Sequence, residues 1–498
     1  MTIEKRIALV LVVLVLAIQA VVLIARSDRE PHMDEVEMLH SGWLMANGAR
    51  IYKDFFQHHS PLVPALVAPL APHAERVEAQ PYAERARMVA GCAGLLALVM
   101  LALLVWRIDP LAAPLASMLM FATGGLWLRV IADVRAETFA MLFFWIGTAF
   151  VTLPKKWIAT WAGLGVGLVA FAEMWTPKWP LCAVVIGIWA LLRARRQWWV
   201  AVAVATGVVL AALVLVHTIA PLDAVRFFTF ELNGAREQWP DMTHLHFRPF
   251  HEGPRLLSLP FVGGAAALLA LLAMRERSLR PVWLFAALFA AAFVEVRFIH
   301  PYPLVGTHSY AMWGFAGSAV VASIPKAIVM LLLRARLSER LRLWIAKGIP
   351  LAALLLLVPN VAVQASFARG DLAVYWNSQR TLIERIHPGE TVWMSSVRRN
   401  PITVKDAHYY WFGLEDSRLL RLIESHRESA RGARYLPSLD ELPICAALHG
   451  RSRVRFAAPP EGGIGLDSEL PCFAALRIAG RVRSTPFPHV YEILPAHP

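Results

Sequence analysis

The chain has 498 residues, of which 57% are apolar and 17% charged, with a mean hydropathy of +0.51 and 18 tryptophans. Globular domains run to about 45–50% apolar and about 25% charged residues, so this balance excludes a fibrous, disordered or ordinary soluble protein. The formal net charge of +13, from 49 Lys+Arg against 36 Asp+Glu, would suggest nucleic acid in a soluble chain, but here the basic residues lie between apolar runs.

The first run, residues 7–25, is long enough to cross a hydrocarbon core about 30 Å thick as a helix. Lys5 and Arg6 before it are compatible with a signal peptide. The run exceeds the usual h-region, however, and no small-x-small cleavage site follows, so a retained anchor is expected. Further runs cover 88–106, 111–128, 136–153, 157–175, 179–192, 198–220, 256–274, 282–298, 309–333 and 345–365, making eleven candidate spans. Sixteen basic residues fall in alternate connections: Lys5 and Arg6; Arg107; Lys155 and Lys156; Arg193, Arg195 and Arg196; Arg275, Arg277 and Arg280; and Arg334, Arg336, Arg340, Arg342 and Lys347. Basic residues accumulate on the cytoplasmic side, which places the N-terminus inside and the residues after the eleventh span outside. In a bacterial inner membrane that outer side is the periplasm. It receives the first loop (26–87), the turns near 129–135, 176–178 and 297–308, the long loop 221–255 and the tail.

Two domains are therefore expected: a transmembrane domain over 1–365 and a C-terminal periplasmic soluble domain over 366–498. The tail is polar, with 17 basic and 14 acidic residues, and is large enough for a small α/β or α+β core. Helices are predicted over 376–386 and 417–429 and a strand over 391–396. Cys445 and Cys472 lie in this tail, where an oxidising compartment permits pairing; two buried thiols are the alternative. Cys92 and Cys182 fall within spans and read as packing residues.

Ionisable groups near span ends mark candidate chemistry. The densest set is in the first outer loop, where Asp34 and Glu35 follow the first span closely and Tyr52-Lys53-Asp54-Phe55-Phe56-Gln57-His58-His59-Ser60-Pro61-Leu62 comes after. A carboxylate at the membrane surface can activate a hydroxyl while a lipid-borne partner stays in the bilayer. The competing reading is an interfacial amphipathic helix over 34–47 whose acidic first turn suits the helix dipole.

The order of these features resembles the GT-C superfamily of polyprenyl-phosphate-sugar-dependent glycosyltransferases: an anchor helix, an outer loop opening on Asp-Glu, the Tyr52-x-Asp54-Phe55-Phe56-x-x-His59-x-Pro61-Leu62 stretch, many spans and an outer C-terminal domain. The likeness is to the branch of the protein O-mannosyltransferases and the aminoarabinose–lipid A transferases, and it covers roughly residues 1–365. It implies that Asp34 carries the catalytic carboxylate, with Glu35 beside it. The aminoarabinose transferases have Glu-Lys-Pro-Pro-Leu where this chain has His58-His59-Ser60-Pro61-Leu62, so His59 replaces the lysine associated with the donor phosphate. A second acidic residue is implied at the turn before the fourth span, assigned to Asp133 with Glu137 in reserve; a plain ion pair with Arg129 or Arg135 is the alternative. Lys178, in a turn where relatives place a lysine, would balance the donor phosphate as it leaves, or else snorkel to the headgroups. Arg297 is assigned to the donor phosphate by its two-pronged geometry, and His300 and Tyr302, with Tyr52, to sugar or phosphate contacts.

Two further motifs belong to less specific readings. His244-x-His246 could hold a metal on a strand, but no matching carboxylate or cysteine pattern accompanies it. The aromatic run 406–413 reads as a small-domain core or a sugar contact. The oligosaccharyltransferase signature Trp-Trp-Asp is missing, since Trp198-Trp199 is followed by Val200. The expected function is transfer of a single sugar, with inversion, from a polyprenyl phosphate to an acceptor hydroxyl on a glycan, lipid or protein, Asp34 acting as base. Nucleic acid is not an expected partner. A divalent metal, if used, would fall to Asp34, Glu35 and Asp133. The alternatives are a transporter or lipid flippase, which would place charges mid-span and show related halves, and a non-catalytic envelope-assembly protein of the same fold.

Overall fold

The computed structural model describes residues 3–26, 30–55, 57–122, 133–153, 157–232, 281–295, 303–334, 372–394, 401–405, 454–458, 471–485 and 490–495, with isolated positions elsewhere. In chain order its principal helices are α1 (Ile3–Arg26), α2 (Met33–Ala46), α3 (Leu62–Val67), α4 (Gln80–Trp106), α5 (Ala112–Ala122), α6 (Ala136–Val151), α7 (Ile158–Trp175), α8 (Pro180–Arg193), α9 (Trp198–Ile219), α10 (Val282–Val294), α11 (Pro303–Ala322), α12 (Ile324–Arg334), α13 (Leu372–Glu384) and α14 (Pro471–Ile478). Four strands follow the long helices or intervene among the last of them: β1 (Thr391–Met394), β2 (Val454–Ala458), β3 (Val482–Ser484) and β4 (Tyr491–Ile493). The chain divides into two compact units: Met1–Arg29 with Met88–Val214 and Trp239–Gly370, and Glu30–Arg87 with Leu215–Gln238 and Asp371–Pro498.

The first unit is helical. Among the described residues five stretches are long and apolar enough to cross a membrane: Lys5–Ile24 of α1, α4, α7, α9 and Met312–Met330 through α11 and α12. The apolar helices α6, α8 and α10 are shorter. The predicted run 309–333 is interrupted: α11 ends at Ala322 and α12 starts at Ile324. Pro325 lacks the N–H that a continuous helix would use, and the Ser323 hydroxyl donates back to the Ala319 carbonyl at 2.8 Å. The runs at 256–274 and 345–365 lie almost entirely outside the described residues, as do the later part of 111–128 and the helix predicted over 417–429.

Small residues let α7 approach two neighbours. A Cβ on Gly147 of α6 would stand 2.5 Å from the Gly165 carbonyl of α7, and one on Gly165 would meet the Gly147 carbonyl in return. Two residues on, and so on another face of α7, a Cβ on Gly167 would stand 2.5 Å from Val208 on α9. Without a hydrophobic driving force between helices in lipid, such close backbone packing supplies the association. A buried polar pair ties α1 to α5: the Gln19 amide donates to the Ser117 carbonyl at 2.8 Å and accepts from the Ser117 hydroxyl at 3.3 Å.

Charged residues of this unit serve helix ends. Arg193 donates to the carbonyls of Val151 and Leu153 at 2.6 and 2.8 Å, closing the end of α6, while Arg107 reaches the Thr152 hydroxyl at 2.7 Å. Lys326 donates to the Ile108 carbonyl just beyond α4. Arg193 and Lys326 thus satisfy carbonyls left over at C-terminal helix ends. The N-terminal end of α8 has the opposite partner: Glu295 accepts from the N–H groups of Leu181 and of Cys182, the latter at 3.1 Å.

The second unit contains a four-stranded sheet in the order β1-β2-β4-β3, with β1 and β2 parallel and the other neighbours antiparallel. Its core is Leu382, Ile383, Ile386, Val392, Val404, Phe456 and Val490. The predicted helix over 376–386 thus corresponds to α13, which starts earlier, and the predicted strand to β1. Cys472 in α14 is disulfide-bonded, and Cys445 lies outside the described residues.

Substituting Gly165 by Val should lower the melting temperature of the purified protein, since overpacking costs about 1–3 kcal/mol. Gly187→Val, where a Cβ meets nothing within 4 Å, should leave it unchanged.

Candidate active site

The site residues in the second unit are organised by α2. His32 caps this helix: its Nδ1 accepts from the Asp34 N–H at 3.3 Å and lies 3.8 Å from the Asp34 carboxylate. Asp34 and Glu35 form the acidic first turn, where negative charge suits the positive end of the helix dipole. The helix foreseen over 34–47 therefore exists. It is not an interfacial amphipathic helix, because residues 35–44 are buried, among them Glu35, Glu37, His40 and Ser41.

Each of those four polar side chains meets a group from another segment. Arg87 of α4 grips both oxygens of Glu35, at 2.7 and 2.8 Å. Glu37 faces two imidazoles: its Oε1 is 3.2 Å from His58 Nδ1, and its Oε2 is 3.6 Å from His59 Nε2. His40 Nδ1 lies 2.9 Å from the Ile402 carbonyl, which can only accept, so the proton is on Nδ1. The Ser41 hydroxyl accepts from the Gln57 amide at 3.0 Å. Asp34 differs from these, with 18% of its side chain exposed.

The loop after α2 is pinned from two directions. Tyr52 takes a left-handed backbone conformation (φ 64°) and donates its hydroxyl to the His59 carbonyl at 2.5 Å. Its ring stacks on Phe228 with centroids 4.7 Å apart. The His59 N–H donates to the Gln57 side-chain oxygen at 3.0 Å. Tyr52 and His59 are thereby brought together, with His59 partly open to solvent.

The first unit holds another set. Asp133 is buried, and its carbonyl accepts from the Thr138 hydroxyl at 3.5 Å. Two residues on, the extended Arg135 leads into α6, whose first turn contains Glu137. The Lys178 ammonium pairs with Glu137, and Arg135 Nε stands 3.8 Å from the same carboxylate. Lys178 is therefore largely buried and held to a carboxylate. Arg297, His300 and Tyr302 lie outside the described residues, as do His244 and His246.

For the metal reading, both Glu35 oxygens are occupied by Arg87, which leaves the Asp34–Glu35 pair a poor chelate. Sequence reasoning missed the combination of Glu37, His58 and His59, whose ligating atoms all lie within 4.8 Å of one another. The adjacent histidines and the acid one helical turn beyond Asp34 were the available signal. It also missed Arg87, the arginine at the mouth of a predicted span, and His40.

No family model and no curated protein matches the sequence. Solved structures do match. ArnT from Cupriavidus metallidurans bound to undecaprenyl phosphate superposes with a TM-score of 0.60 at 16% identity, covering 97% of this chain and 97% of that one. ArnT in the apo state gives 0.57 at 14% identity, covering 99% and 98%. The fold of this chain is therefore like that of ArnT. Because the ArnT match runs nearly the full length of both chains, it takes in the tail as well as the helical part that carried the sequence likeness.

Glu35→Gln or Arg87→Met alone should cost about 3–5 kcal/mol, since each leaves a buried charge uncompensated, while the double variant Glu35→Leu/Arg87→Met should recover most of it; a double-mutant cycle on thermal unfolding reads the coupling. Desolvation lowers the His40 pKa from 6.5 to about 4, partly offset by the Ile402 carbonyl. The unfolded chain then binds this proton before the folded one does. The stability associated with neutral His40 is complete above about pH 6.5 and falls by about 3 kcal/mol as pH drops towards 4. Hydrogen exchange of α2 between pH 7 and 4 should show this loosening, and His40→Asn should flatten it.

Proposed function

We propose that the chain is a membrane glycosyltransferase that moves one sugar from a polyprenyl phosphate to an acceptor hydroxyl. The observation that carries this reading is the near full-length likeness to ArnT in a complex with undecaprenyl phosphate. It is joined by the placement of Asp34 as the accessible carboxylate of a helix whose other acids are buried. Asp34 takes the proton of the acceptor hydroxyl as its oxygen attacks the anomeric carbon. The bond from that carbon to the phosphate oxygen breaks, its electron pair leaves on the lipid phosphate, and the anomeric configuration inverts. Glu35, locked by Arg87, positions the first turn of α2 rather than moving a proton.

The donor phosphate is assigned to Lys178, Arg297 and His59, with Tyr52, His300 and Tyr302 contributing sugar or phosphate contacts. Asp133 is assigned to orienting the acceptor. Lys178 and Arg135 share Glu137, two cations on one carboxylate, a balance that suits an anionic ligand. The topology proposed is eleven spans in a bacterial inner membrane, with the N-terminus cytoplasmic and the tail a small periplasmic α/β or α+β domain. Supporting it, Arg107 and Arg193, both expected inside, meet at the C-terminal end of α6, whereas Lys178 lies in a connection expected outside.

Purified protein incubated with radiolabelled polyprenyl-phosphate sugars and envelope acceptors should release label from the lipid. Asp34→Asn should reduce that transfer by about 10²–10⁴-fold with the yield of folded protein unchanged. Full activity in this variant would overturn the assignment of the base.

A further inference from the structure

We propose that Glu37, His58 and His59 form a binding site for a divalent cation of the zinc class. The three side chains offer the donor set such ions prefer, two neutral imidazole nitrogens and one carboxylate. Metal–ligand bonds of about 2.0–2.2 Å in a tetrahedral site separate the ligating atoms by about 3.4 Å. Glu37 Oε1 is 3.2 Å from His58 Nδ1, Glu37 Oε2 is 3.6 Å from His59 Nε2, and one ligating atom from each of the three residues lies within 4.8 Å of the others, close enough for small side-chain rotations to bring all three onto one ion.

The surroundings hold that arrangement in place. The two imidazole centroids are 3.9 Å apart and tilted by 42°, which turns both rings towards one carboxylate rather than to opposite sides of the chain. The loop bearing them is clamped through the His59 N–H to Gln57 and through the His59 carbonyl to the Tyr52 hydroxyl. Gln57 is in turn fixed to Ser41, one turn beyond Glu37 on the same helix. Ligands held by outer contacts of this kind form a site before the ion arrives. Glu37 and His58 are buried while His59 is 26% exposed, which gives the ion an entry path and leaves coordination positions open on that side.

Three protein ligands and an open position suit an added oxygen ligand. Under the transferase reading, on which this part alone rests, that ligand is a phosphate oxygen of the lipid donor. The ion then supplies positive charge one helical turn from Asp34, at about 5–6 Å between the Cβ atoms of Asp34 and Glu37.

The test uses the full-length protein, stripped with a chelator and titrated with Co²⁺ as a spectroscopic substitute for Zn²⁺. One Co²⁺ per chain, with visible absorption of a four- or five-coordinate site, is expected. Glu37→Gln, His58→Gln and His59→Gln should each weaken binding by at least about tenfold, in line with the loss of a direct ligand, while each metal-free variant still unfolds in a single cooperative transition. His59→Cys guards against misfolding in the glutamine variants, since it should keep the ion and add a sulfur charge-transfer band. Binding that is missing in the unmodified protein, or indifferent to all these substitutions, overturns the site. Asp34→Asn should retain full metal binding while losing transfer, so the two readings fail separately. Undecaprenyl phosphate should shift the Co²⁺ spectrum; an unchanged spectrum removes the phosphate from the open position.

Discussion

The second unit depends on burying α2. A helix carrying Glu35, Glu37, His40 and Ser41 on inward faces cannot leave water without partners, because an unpaired buried polar group costs a few kcal/mol and an unpaired charge more. The partners come from three separate parts of the chain: Arg87 at the start of α4, the loop 57–59, and Ile402 in the tail. The same tail segment accepts from the Arg76 N–H at 2.8 Å and donates to the Val77 carbonyl at 2.5 Å through Thr403. Polar necessity thus binds the first loop and residues 401–405 of the tail into one body.

The three acids of α2 receive different environments from the same four-residue stretch. Glu35 meets a guanidinium, Glu37 two imidazoles, and Asp34 the capping histidine and solvent. A helix separates neighbours by about 100° of rotation, so consecutive acids necessarily face different neighbourhoods. One helix in this way gives three acids three different partners without any of them competing for the same one.

Much of the helical framework was legible in the sequence because a membrane imposes long apolar runs, and α1, α4, α7 and α9 fall on predicted runs. The break at Ser323 was less legible, although Pro325 marks it, because hydropathy averages over a helix and its interruption alike. At the site, Asp34 and Lys178 stood out as charges near span ends. Their partners did not: Glu137 appeared only as a substitute for Asp133, and the Glu35–Arg87 pair joins residues 52 apart in the chain. Periodicity reports which face of an element is apolar, and says nothing of which distant polar group will meet it. The two histidines after Gln57 were read as replacing a lysine, one at a time, whereas folding makes them a pair with Glu37.

The contact between Gln19 and Ser117 bears on how the protein is made. An amide in an otherwise apolar first helix needs its hydrogen-bond partner within the membrane, and that partner is 98 residues later. At about 5–20 residues per second of synthesis, roughly 5–20 s separate the emergence of the two. During that interval Gln19 must be satisfied by water, by headgroups or by the insertion machinery, so the first helix stays short of its final depth or in the company of others until α5 arrives. The same pair that fixes α1 in the finished bundle therefore sets an order on assembly.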